Sequence, residues 1–308
     1  MRYSLLSYCF PALRMTELGV TIHALNEPMT MSTLSGDLQT PIPHDPDHIL
    51  SPLNGWQAIA SSVLGTSHQK RGQPCQDAHA WDILGPGLVV AAVADGAGSA
   101  SLSDVGAQVA TRTAVEQIKR QWDRLAAEQS EVCWEPLLGE VLEHAQNAIA
   151  AESLTRDVEV RQLATTLLIL VASSQEVAVA QIGDGAVVIG DRQGHITALT
   201  QPENGEYANE TTFLISPNAL ESAQIKVWEG EIAHFALFSD GLQRLALKLP
   251  EGTPHAPFFT PLFRFVDQME DSQAAESELQ GFLSHPRITE RTDDDLTIVL
   301  GSLKSINN

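Results

Sequence analysis

Three times in this chain an apolar run of strand character ends at an aspartate set against glycine. Residues 88–94 lead into Asp95-Gly96-Ala97-Gly98, residues 177–182 into Gly183-Asp184-Gly185, and residues 235–239 into Asp240-Gly241. A fourth acidic group, Asp293-Asp294-Asp295, stands just before the apolar run 296–300. One such junction is an ordinary turn, because Asp and Gly are favoured turn residues. Their repetition constrains the fold: if these strands are neighbours, the carboxylates converge at one end of the sheets. Such crowding is tolerable only with cations between the acids. Gly96, with no side chain, also lets its own carbonyl approach a cation closely.

Two rival readings of the first junction fail on spacing. Gly96-Ala97-Gly98 supplies the start of a dinucleotide-binding GxGxxG turn, but the third glycine is missing and a leading Asp would repel a pyrophosphate. The DxDxDG pattern of an EF-hand is absent as well. The ten histidines form no HxH or HExxH pattern, and Cys9, Cys75 and Cys133 form no CxxC pair. Hard oxygen donors without nitrogen or sulfur point to Mg2+, Mn2+ or Ca2+ rather than zinc. Two such ions about 4 Å apart suit phosphoester hydrolysis, since they acidify water and neutralise charge on a transferring phosphoryl group. Ser239 lacks the GxSxG setting of a nucleophile and reads as a turn residue.

The remaining pattern predicts an α+β chain. Strands are expected at 56–63, 88–94, 166–172, 177–182, 186–189, 235–239 and 296–300. Residues 173–176 and 191–194 are suited to closing hairpins, which favours antiparallel neighbours. Two long helices are expected between the second and third strands. The first starts near Ser103, a fair N-cap, and carries Val105, Val109, Ile118, Trp122 and Leu125 on one side; the second follows Pro136 with Leu138, Val141, Leu142, Ala145, Ala148 and Ile149. A further helical region is expected between Pro261 and Leu283. Residues 1–54 include a proline-rich stretch and read as a poorly ordered N-terminal extension, leaving 55–303 as the folded domain.

With 39 acids against 18 bases, the net charge of −21 disfavours nucleic acid and anionic membrane as partners. No apolar run reaches the roughly 20 residues of a spanning helix. Few cysteines and no convincing signal cleavage site lead to the expectation of a cytoplasmic protein.

Taken in order, Gln76-Asp77-Ala78, Ala94 to Gly98, Ala164-Thr165-Thr166-Leu167, Gly183-Asp184-Gly185, Phe238 to Gly241 and Asp294-Asp295-Leu296-Thr297 resemble the metal-dependent (PPM, or type 2C) serine/threonine protein phosphatases. Gly65-Thr66-Ser67-His68 and Pro74-Cys75-Gln76-Asp77 are similar to a bacterial branch of that family, as is the segment Gly205 to Thr211. The resemblance implies a four-layer α/β/β/α sandwich with the metal site at one end of two mainly antiparallel sheets. It implies that Asp95 bridges two Mn2+ or Mg2+ ions, that the Gly96 carbonyl binds one, and that Asp240 and Asp294 complete the other. Asp77 would hold a metal-bound water, Asp184 would join Asp240 at a third, weaker metal site, and residues 201–213 would form a short flap beside the cleft.

Departures from the family pattern fall at three places. Gln76 stands where a Glu is common, Ala97 where many eukaryotic members carry a histidine acid, and Gly72 where a phosphate-clamping Arg is usual. Arg71 is the expected replacement clamp, with Lys70 and His68 as rivals. The implied activity is hydrolysis of phosphoserine and phosphothreonine in a protein substrate, paired with a serine/threonine kinase. Gln76 and Ala97 keep a second reading open, a non-catalytic phosphoprotein-binding module of the same fold, and a structural Ca2+-binding domain is a third.

Overall fold

The structure, a computed structural model, describes Leu5 and residues 55–85, 87–200 and 211–304. In chain order the strands are β1 (Trp56–Val63), β2 (Ala78–Ile83), β3 (Val89–Ala94), β4 (Leu167–Ala172), β5 (Glu176–Ile182), β6 (Ala186–Gly190), β7 (Ile196–Ala198), β8 (Gln224–Glu229), β9 (His234–Phe238), β10 (Leu247–Lys248), β11 (Thr253–Pro254) and β12 (Leu296–Leu303). The helices are α1 (Thr66–Arg71), α2 (Ser103–Glu128), α3 (Trp134–Arg156), α4 (Ala219–Ser222), α5 (Gln243–Ala246), α6 (Ala256–Asp267), α7 (Ser272–Leu283) and α8 (Pro286–Thr289).

The pairing gives two five-stranded sheets beside a small antiparallel β10-β11 pair. One runs β1-β12-β9-β6-β7 and the other β2-β3-β4-β5-β8, with every neighbouring pair antiparallel. Strands buried on both faces read as continuous apolar runs, and alternate residues serve different cores. In β3, Val89, Ala91 and Val93 enter the layer between the sheets, while Val90, Ala92 and Ala94 face the helical layer that includes α2 and α3. In β9, Phe235 and Leu237 fill the space between the sheets, and Ala236 and Phe238 pack toward α6 and α7. The expected four-layer α+β sandwich is therefore present.

Several local expectations need correction. Ser103 is the first helical residue of α2 rather than its cap; Leu102 holds the cap position and Ser103 Oγ donates to Ala100 O at 3.2 Å. The buried stripe of α2 is built from Ala107, Ala110, Ala114, Val115 and Ile118, with Val105, Val109 and Trp122 only partly buried at its margin. Small side chains win that face because they let the helix lie close to the sheet. Helix α3 begins at Trp134, ahead of Pro136. The single helical region expected from Pro261 onward is two helices, and Pro261 lies inside α6. Phe258, Phe259, Leu262, Phe263, Phe265 and Val266 are all buried on α6, enough apolar surface to outweigh one lost backbone bond. Most of the expected extension lies outside the described residues. Leu5 is an exception: it is buried in the same core as α6 and α7, and its N–H donates to Glu278 Oε2 at 3.0 Å.

Candidate metal centre

The antiparallel register decides where the aspartates meet. Ala78 pairs with Ala94, Leu168 with Val93, and Leu167 with Ile182, so β2 and β4 start where β3 and β5 end. In the other sheet Phe238, the last residue of β9, pairs with both Ala186 and Ile298. Asp77, Asp95, Asp184, Asp240 and Asp294 therefore all sit in connections at one end of the sandwich. Asp184 lies in the turn that carries the chain from one sheet to the other. That turn depends on Gly183, whose φ of +104° is a conformation L side chains rarely adopt, and where a Cβ would lie 2.5 Å from Thr166 Cγ2.

Carboxylate oxygens of Asp95, Asp184 and Asp240 lie within 4.8 Å of one another, each residue partly open to solvent. Asp95 is fixed by its backbone: its N–H donates to Thr166 Oγ1 at 2.9 Å, and its carbonyl accepts from Thr166 N at 2.8 Å and Thr165 Oγ1 at 2.9 Å. The Thr165-Thr166 pair thus works as a clamp on the junction. Asp184 Oδ2 accepts from Thr211 Oγ1 at 2.8 Å, whereas its Oδ1 is buried without a hydrogen-bond donor. An orphaned carboxylate oxygen aimed among other carboxylates calls for a cation.

Electrostatics say the same. Burial pushes the Asp95 carboxyl well above the ordinary carboxylate range, and the charges of Asp77 and Asp240 push it further. Asp240 is raised to about 6 by burial and then by Asp184 and Asp294. Asp77, buried, is raised to about 7 chiefly by desolvation and then by the charge of Asp295, against the opposing effect of its hydrogen bond from Ser239. Acids that resist ionisation together are a site short of positive charge. The donor set, oxygen throughout, fits Mg2+ or Mn2+.

Two residues emerge that spacing alone did not single out. Ser239 Oγ donates to Asp77 Oδ2 at 2.7 Å and accepts from Thr297 N at 3.1 Å, so it holds Asp77 in place rather than merely turning the chain. Asp295, buried, accepts from Gly65 N and Gln76 N at 2.6 Å each and lies 2.9 Å from His68 Nδ1. It therefore ties the α1 region to the start of β12. Its place in the Asp293-Asp294-Asp295 run and in the Asp294-Asp295-Leu296-Thr297 motif hinted at a role but not at this one. His68 is buried against it, while Lys70 and Arg71 are exposed; the Arg71 guanidinium donates to Ser67 O at 3.2 Å and Ser67 Oγ at 3.3 Å. Gln76 is buried with Oε1 lacking a donor, and Ala97 is buried. Cys75 is half-buried, its thiol pushed up by burial and by Asp77 and Asp295. Residues 201–210 of the expected flap lie outside the described residues.

The sequence profile described as Protein phosphatase 2C matches residues 64–284. The chain belongs to the protein phosphatase 2C family. Serine/threonine-protein phosphatase 3 of Escherichia coli (strain K12) is 35% identical to it over 251 residues, covering 80% of this chain and 97% of that protein. The fold matches the catalytic domain of the serine threonine protein phosphatase PstP in complex with two manganese ions, with a TM-score of 0.53 at 17% identity over 81% of this chain and 99% of that one. It also matches PppA, a key regulatory component of T6SS in Pseudomonas aeruginosa, with a TM-score of 0.53 at 18% identity over 82% of this chain and 100% of that one. The carboxylate cluster thus belongs to a protein phosphatase 2C fold. Among the described residues no helix is long and apolar enough to cross a membrane.

Proposed function

We propose that this chain hydrolyses phosphoserine and phosphothreonine in proteins, with Asp95, the Gly96 carbonyl, Asp240 and Asp294 holding two Mn2+ or Mg2+ ions and Asp184 joining Asp240 at a third, weaker site. The observation that carries the reading is the convergence of Asp95, Asp184 and Asp240 within 4.8 Å in a phosphatase 2C sandwich. When bound, such cations supply an acidified water and neutralise charge on the phosphoryl oxygens.

The chain's own residues supply position. Ser239 and Thr297 orient Asp77, which accepts a hydrogen bond from the attacking water. Thr165 and Thr166 fix Asp95. The phosphate clamp falls to Arg71 or Lys70, both exposed at the end of α1, rather than to His68, which is buried against Asp295. Ala97 offers no proton, so the serine or threonine oxygen takes its proton from solvent-derived groups at the site. A phosphoprotein partner, reset after a serine/threonine kinase, follows from this chemistry.

The test is Mn2+-dependent hydrolysis of p-nitrophenyl phosphate and of a phosphoserine peptide, with Asp95→Ala as control. Turnover well above that control is expected. Phosphopeptide binding without release of phosphate would instead establish the non-catalytic module, and tight selective Ca2+ binding without turnover would establish the structural reading.

A further inference from the structure

A pocket of about 500 Å³, lined by none of the acids proposed to hold metal, lies where α5, α6, α7 and α8 come together. Among the described residues that line it, Phe258, Phe282 and Ile288 make an apolar floor, and His255, Arg287 and Arg291 stand with one acid, Glu290. In a chain of 39 acids and 18 bases this is a local reversal of sign. Both arginines are exposed, and the phenylalanines and Ile288 beneath them are buried.

Two segments that line this pocket run directly into proposed metal ligands. Leu245 lies on α5, which follows Asp240-Gly241, and Arg291 stands three residues before Asp294. At 3.8 Å per step, the Cα atoms of Arg291 and Asp294 are at most about 11 Å apart. The residues flanking a phosphorylated side chain at the proposed metal site are therefore within reach of this lining.

We propose that this pocket docks the flank of the phosphoprotein substrate, a short segment carrying an acidic side chain beside a bulky apolar one; the inference rests on the phosphatase reading above. An acidic peptide is repelled by most of a molecule with a charge of −21, so a paired-arginine rim is where its carboxylate gains rather than loses. A leucine or phenylalanine side chain beside it leaves water for the apolar floor. A second copy of this chain is the poorer occupant, since it brings a further −21 to the contact. An extended peptide rises about 3.3 Å per residue, so the docked pair lies about three or four residues from the phosphorylated one.

The experiment compares wild type with Arg287→Glu/Arg291→Glu and with Arg291→Glu alone, all on exposed positions. Each is assayed with Mn2+ on p-nitrophenyl phosphate and on two phosphoserine peptides, one with Glu-Leu and one with Lys-Gly placed three residues to either side of the phosphoserine. Wild type should favour the Glu-Leu peptide about tenfold in kcat/KM, through KM. The double variant should lose that preference, the single variant should lose part of it, and all should keep p-nitrophenyl phosphate turnover. Equal use of both peptides by wild type, or an intact preference in the double variant, overturns the proposal. Fluorescence anisotropy of a labelled, unphosphorylated Glu-Leu peptide gives a readout without turnover. If p-nitrophenyl phosphate is not hydrolysed the phosphatase reading fails, while weaker peptide binding by the double variant still supports the pocket and unchanged binding still overturns it.

Discussion

Asp77 shows how much of this site is held by single side chains. Its carboxylate is buried, lies in the field of Asp295 and Asp240, and takes a hydrogen bond from Ser239 Oγ at 2.7 Å. Replacing Ser239 with Ala leaves both Asp77 Oδ2 and Thr297 N without that partner, a loss of about 1–3 kcal/mol of stability. Urea unfolding should show the loss, and the Asp77 carboxyl should titrate higher still. The pH dependence has a definite sign. Asp77 is raised to about 7 and Asp240 to about 6, so the folded, metal-free protein keeps protons that the unfolded chain releases. Their contribution is complete below the ordinary carboxylate value, drains as pH rises from about 4 to 7, and is flat above. With chelator present, wild type should therefore lose stability relative to Asp240→Asn over that range, on the order of 2 kcal/mol by thermal melts. A difference that stays constant with pH would show that Asp240 ionises as freely as an exposed acid.

At the scale of elements, the junctions work only where backbone approaches backbone. A Cβ on Gly241 would lie 2.1 Å from Asp295 O, so the turn after β9 and the start of β12 are pressed together. Gly241→Ala should cost about 2 kcal/mol or more and weaken Mn2+-dependent activity along with it. Gly281 on α7 is the contrast, with nothing within 4 Å of its absent Cβ; Gly281→Ala should gain about 0.5–1 kcal/mol in melts and leave activity unchanged. The elements that escaped the sequence reading are instructive too. β2 and β8 lie at the two edges of their sheet, and their partly exposed, mixed side chains lack the apolar run that announced β3, β4 and β5. Helix α2 betrayed its period but not its face, because the buried stripe consists mainly of alanines whose small size carries little hydropathic signal.

Over the whole molecule, the proposed cations would offset the cost of gathering these carboxylates. Mn2+ or Mg2+ should raise the melting temperature in a concentration-dependent way, corresponding to about 2.7 kcal/mol at 100 times Kd. Asp95→Ala and Asp240→Ala should flatten that response; an equal rise in wild type and both variants would place the ion elsewhere.

The sequence by itself determined the alternation that buries both faces of the central strands and the aspartates at their tips, because both are local patterns of period and turn chemistry. From these, and from the likeness of its motifs to one family, the layered fold and most of the acidic set were legible. Tertiary structure alone decided that Ser239 steadies Asp77, 162 positions away, and that Asp295 locks the α1 region to β12 with its carboxylate. It also decided that Arg287 and Arg291 would line one hollow with Phe258 and Phe282. Contacts between residues so far apart in the chain are set by how two sheets and their helices pack, and no local pattern encodes that distance.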